Sequence, residues 1–133
     1  MRHITFDELV AMHVHLMRDL MQEEYYGILN ADLLHSALAR PRQVSHYEKA
    51  SSVRQAAFLF QGLLMNHGFV QGNKRTAYAT LEWFFRINNI GRINATAAEK
   101  IKLCVSSENE KWSVEKIEKW LKKHLTGVKT KKT

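Results

Sequence analysis

The stretch His67-Gly68-Phe69-Val70-Gln71-Gly72-Asn73-Lys74-Arg75-Thr76 gathers the side chains best suited to chemistry. It brings an imidazole, two glycines, an amide, two cations and a hydroxyl together between two long apolar-periodic segments. A turn that runs into a helix start collects backbone N–H groups with no intrahelical acceptor, and the helix dipole adds to their pull on an anion. Gly72 carries no Cβ, so a phosphate can approach the backbone there. Asn73 can donate from its amide and cap the helix, while Lys74 and Arg75 bring charge, the arginine with a bidentate grip. Phosphoryl transfer depends on such positioning and charge stabilisation. Upstream, His67 carries an imidazole, a group that can take a proton from a hydroxyl nucleophile. The expected chemistry is passage of a nucleotide's phosphorus-containing group to an alcohol on a protein. Taken singly, each residue has a plainer explanation: a structural histidine, a cap, two solvated cations. Those explanations do not account for the grouping.

Helices must position this turn. Thr5 with Glu8 has capping-box spacing, and Leu9, Met12 or His13, Leu16, Met17 and Leu20 then recur at helical spacing, which predicts a first helix from about Phe6 to Glu23. Asn30 is a good N-cap for a second helix bearing Leu33, Leu34, Ala37 and Leu38 on one face. Pro41 is expected to stop it, leaving Arg40 to His46 as an irregular connection, either a flap over a site or a plain loop. A third helix, starting at Ser45 with Glu48 or at Ser51 or Ser52 and ending around Met65 or Asn66, is apolar over much of its circumference, as a central buried helix should be. Phe69 is expected to plug into the core and hold the turn. The helical pattern resumes from about Asn73 to Asn89; Thr96 with Glu99 opens a fifth helix and Ser113 a sixth, closed by Gly127. Ile90 to Asn94 can pair as a short strand.

The totals set bounds. A chain of 133 residues with 45% hydrophobic and 25% charged residues suits one globular domain with its own core. The expected division is residues 1–126 as that domain and 127–133 as a basic, disordered tail. Cys104 is the single cysteine, which excludes an internal disulfide, suits a reducing cytoplasm and reads as a small buried apolar residue. Asp7 and Glu8 fall where a signal peptide would be apolar, and no apolar run reaches the length of a membrane span. The net charge of +7 invites a nucleic-acid reading, but no helix outside the C-terminal region concentrates Lys and Arg on one face, so nucleic acid is not the expected partner.

The central turn resembles the signature of the Fic/Doc family, and within it the Doc (death-on-curing) toxin branch. His67, Phe69, Gly72, Asn73, Lys74 and Arg75 stand in register with H-x-F-x-[D/E]-[A/G]-N-K-R. Met1 to Thr5, Glu8 to His13 and the stretch Gly27 to Pro41 resemble the same branch. The resemblance implies an all-α fold, a compact bundle of about six helices with the motif between two central ones. It also implies ATP as co-substrate with Mg²⁺, and cytoplasmic transfer of a phosphoryl group to a hydroxyl of a translation factor of the elongation factor Tu type. An antitoxin protein would be the neutralising partner. His67 and Lys74 are then the catalytic candidates, and Gly72, Asn73, Lys74 and Arg75 the nucleotide-binding ones. AMP transfer stays open as an alternative. Against it, Fic-branch motifs carry glycine at the position of Lys74 and a further arginine where this chain has Tyr78. Gln71 replaces the family's metal-holding acidic residue, and an amide oxygen is a poor substitute for a carboxylate toward a hard ion, so a catalytically impaired binding homologue also stays open. No inhibitory [S/T]-x-x-x-E-[G/N] segment is evident; Ser106 to Lys111 comes nearest and ends in lysine.

Overall fold

The computed structural model describes residues 1–127. It is all-α: α1 (Phe6–Val14), α2 (Ala31–Glu48), α3 (Ser52–Asn66), α4 (Asn73–Ile87), α5 (Ala97–Asn109) and α6 (Val114–His124). A two-residue strand β1 (Arg92–Ile93) pairs antiparallel with β2 (Leu125–Thr126). Residues 128–133, and with them most of the expected tail, lie outside the described residues.

Side-chain caps start most of the helices. Thr5 with Glu8 and Thr96 with Glu99 form complete capping boxes, and Asn30, Ser51 and Ser113 each accept a hydrogen bond from the N–H three residues on. The apolar circumference of α3 is explained by its place: it packs against α2, α4, α5 and α6, and its run from Gln55 to Phe60 is wholly buried. Gly62 lets α2 come close, since a Cβ there would stand 3.1 Å from that of Ala37.

The first helix runs past Val14 with a π-wound turn, His15–Leu20, and stops there, short of the Glu23 boundary that the periodicity suggests. Met21 N–H reaches back to Leu16 O at 2.9 Å, and Gln22 takes a left-handed φ of 54°. Widening the last turn aims Met17 and Met21 at the start of α4.

Pro41 does not end α2. The helix continues to Glu48, so the connection expected over Arg40 to His46 is helical and no flap exists there. A proline inside a helix costs about 3 kcal/mol. Here the ring is buried beside Ala37 and Leu38, and packing against α3 holds the helix through it. The real break is at Lys49, in the left-handed region at φ 52°.

Candidate active site

The turn between α3 and α4 is built from two left-handed residues and a plug. His67 closes α3 at φ 51°, and Gly72 precedes α4 at φ 75°. Phe69 is buried, as expected, and stacks on the His13 ring of α1 with centroids 3.8 Å apart. The segment Gly27–Asn30 is fastened along the back of the turn: Leu29 N–H donates to Gly68 O at 2.8 Å, and Val70 N–H to Gly27 O at 2.9 Å.

His13 locks this arrangement. The Gly27 N–H donates to its Nε2 at 3.1 Å, so the proton of the neutral ring sits on Nδ1 and donates to Thr76 Oγ1 at 2.9 Å. Burial pushes its pKa down to about 4. Sequence periodicity leaves Met12 and His13 as alternatives for this inward position; His13 takes it, with both nitrogens satisfied.

Asn73 does not cap α4. Gly72 is the cap residue and offers no side chain; the Asn73 carboxamide instead exchanges two 3.0 Å hydrogen bonds with the N–H and C=O of Phe69. The side chain thereby fixes the turn that carries His67. The amides of Asn73, Lys74 and Arg75 precede the first intrahelical bond, Thr76 N–H to Gly72 O at 2.9 Å, and remain as donors at the helix start. A Cβ at Gly72 would meet the flexible end of Met17 at 2.5 Å, which could give way, and the positive φ of 75° favours glycine here apart from any ligand.

His67, Gln71 and the run Gly72–Arg75 line one cavity of about 340 Å³. Met17 and Met21 wall one side, and the carboxylates of Glu23 and Glu108 complete it. The His67 ring is 55% exposed, so it has a path to solvent. Its Nε2 lies 2.8 Å from Glu108 Oε2, and Lys74 Nζ lies 2.9 Å from Oε1 of the same carboxylate. The bond from Lys74, joined by that from His67, holds the Glu108 carboxyl below its ordinary range. Arg75 is exposed at the cavity, and among the described residues no carboxylate lies within ion-pair reach of it. Glu108 belongs to the last turn of α5 and is far from the motif in sequence, so no spacing rule points to it.

The chain's own side chains do not fit a resident magnesium ion. The Gln71 amide nitrogen donates to Tyr25 O and lies 3.4 Å from Glu23 Oε2, which ties the side chain to the segment after α1. Glu108 is already shared by two cationic or donor groups. Among the described residues no three His, Cys, Asp or Glu side chains stand together as a metal set.

Tyr78 faces away from phosphate chemistry: its hydroxyl donates to Glu82 at 3.1 Å, and burial raises its pKa. Burial also pushes the Cys104 thiol up to about 11, which makes it a poor nucleophile. No helix among the described residues is long and apolar enough to cross a membrane.

A helical bundle that presents a histidine on one side of a turn and a cationic helix start on the other defines the class. The Fic/DOC family model matches residues 3–85, and the chain belongs to that family. Within it, the chain is similar to the Toxin Doc of Mycolicibacterium smegmatis, with 43% identity over 68 residues. That match takes in 49% of this chain and 48% of the relative, so it spans about half the length of that protein.

Proposed function

We propose that the protein is a Doc-type toxin that moves the terminal phosphoryl group of ATP onto a hydroxyl of a protein target. One observation carries the reading: His67 and the donor-rich start of α4 line the same cavity. In this reaction the target oxygen attacks the γ-phosphorus, the bond to the β-phosphate bridging oxygen breaks, and ADP leaves. The hydroxyl proton passes to His67. The free amides at the start of α4, with Lys74 and Arg75, balance the charge on the phosphates. Magnesium accompanying the nucleotide would supply further charge neutralisation for the phosphates, with no side chain of this protein as its dedicated ligand.

Lys74 in the motif and the neutral Tyr78 further along favour phosphoryl over AMP transfer. A translation factor of the elongation factor Tu type is the proposed target, in the cytoplasm, and an antitoxin protein the proposed partner. The deciding assay incubates the protein with Mg²⁺, elongation factor Tu and ATP labelled at either the α- or the γ-phosphate. Label from the γ-position that is lost in His67→Ala supports the reading. Label from the α-position would replace it with AMP transfer. No label from either would leave a binding homologue, the reading that the Gln71 amide favours.

A further inference from the structure

We infer that Glu108 is the positioning residue for His67, holding its ring as the Nε2–H tautomer so that Nδ1 is the atom that accepts the proton. The inference rests on the proposed transfer reaction for its role and on the following geometry for its content.

The turn holds the backbone of His67, but among the described residues its ring has a single tether. His67 is a non-glycine residue in the left-handed region, and its side chain is more than half exposed. Among the described residues its ring makes one hydrogen bond, from Nε2 to Glu108 Oε2 at 2.8 Å. A carboxylate only accepts, so the proton of that bond belongs to the imidazole and the lone pair of the neutral ring lies on Nδ1. An exposed imidazole without that bond exchanges tautomers and rotamers, and a general base must do neither at the moment of transfer.

Glu108 itself is well anchored. It follows the buried Ser106 and Ser107, and the turn after it is tied down by Trp112 N–H to Ser107 O at 3.0 Å and by Gln61 Nε2 to Trp112 O at 3.0 Å. These bonds connect the end of α5 to α3, the helix that His67 terminates. Base and carboxylate are therefore held by one frame. Oε1 of the same carboxylate holds Lys74 at 2.9 Å, which keeps the ammonium at the cavity before any phosphate arrives. One side chain from outside the motif thus sets the relative placement of two residues within it.

The test compares wild type with Glu108→Ala, Glu108→Asp and the exposed neighbour Glu110→Gln, using ATP and the target protein, with ¹⁵N NMR of the His67 ring in parallel. The expected result for Glu108→Ala is a fall in kcat of about 10- to 100-fold. KM for ATP stays level or drops, because Lys74 becomes free for phosphate. Glu108→Asp recovers part of kcat, and Glu110→Gln changes nothing. The NMR signature is a protonated Nε2 in wild type and a tautomer mixture in Glu108→Ala. A rise of kcat in Glu108→Ala would overturn the inference, since the carboxylate would then be obstructing the site. So would an unchanged tautomer. If wild type transfers no label, the functional reading falls, and the NMR arm still decides whether Glu108 fixes the ring.

Discussion

Two histidines flank Phe69, and they have opposite fates. His13 is fully buried, is stacked on Phe69 and has both nitrogens engaged within the fold. His67 stands two residues from Phe69, largely exposed, with one nitrogen engaged by Glu108 and the other without a hydrogen bond among the described residues. The same side chain serves as a strut in one place and is available for proton transfer in the other. The difference is made by the surroundings: α1 brings His13 into the core, whereas the left-handed end of α3 turns His67 outward.

The sharpest way to test that contrast is to remove each ring. His67→Ala is expected to lower phosphoryl transfer by about 10²- to 10⁴-fold while leaving the thermal midpoint near that of wild type. His13→Ala should do the reverse in kind, costing about 3 kcal/mol of stability measured by urea unfolding, from a cavity and two orphaned partners. If His67→Ala unfolds the protein, or His13→Ala only silences it, the contrast is wrong.

Acid should separate the two next. The native His13 ring resists protonation down to about pH 4, whereas the unfolded ring protonates near the ordinary histidine value of 6.5. Its contribution to stability is complete above pH 6.5, falls as the pH drops toward 4 and is flat below. The full loss is roughly 3 kcal/mol. Unfolding curves between pH 7 and pH 5 should show this slope in wild type and in His67→Ala, and lose it in His13→Gln.

Smaller effects follow. Thr76→Val removes the Oγ1 that His13 Nδ1–H meets, and about 1–2 kcal/mol of stability should go with it. Gly72→Ala forces a Cβ into the left-handed region and toward Met17; about 1 kcal/mol in the same unfolding assay is expected. A larger loss of transfer than of stability in Gly72→Ala would mean that the turn's backbone also serves the cavity.

Most of the scaffold could be read from the chain because its signals are local. Capping residues at Thr5, Asn30, Ser51, Thr96 and Ser113 act within one turn of the helices they start, and α3 announces its burial by its own composition. Pro41 misleads because local preference favours a stop, whereas burial against α3 outweighs it. At the site, the motif shows which residues gather and hides how they are held. Asn73 reads as a cap and serves as a brace for Phe69, since a carboxamide suits both tasks. Glu108 gives no local sign at all, because its pairing with His67 and Lys74 arises only when α5 folds back beside the turn.

The bonds at the far end of α4 have a practical consequence. Asn88, just past that helix, clasps the backbone of Arg2 on both its N–H and its C=O, and the neighbouring Arg92 pairs with Thr126. Both extremities of the described chain are thus moored at one pole of the molecule. The 15 residues of α4 put that pole about 22 Å from Gly72. A tag or fused cargo at the N-terminus would hang from the blunt end and leave the mouth of the cleft unobstructed.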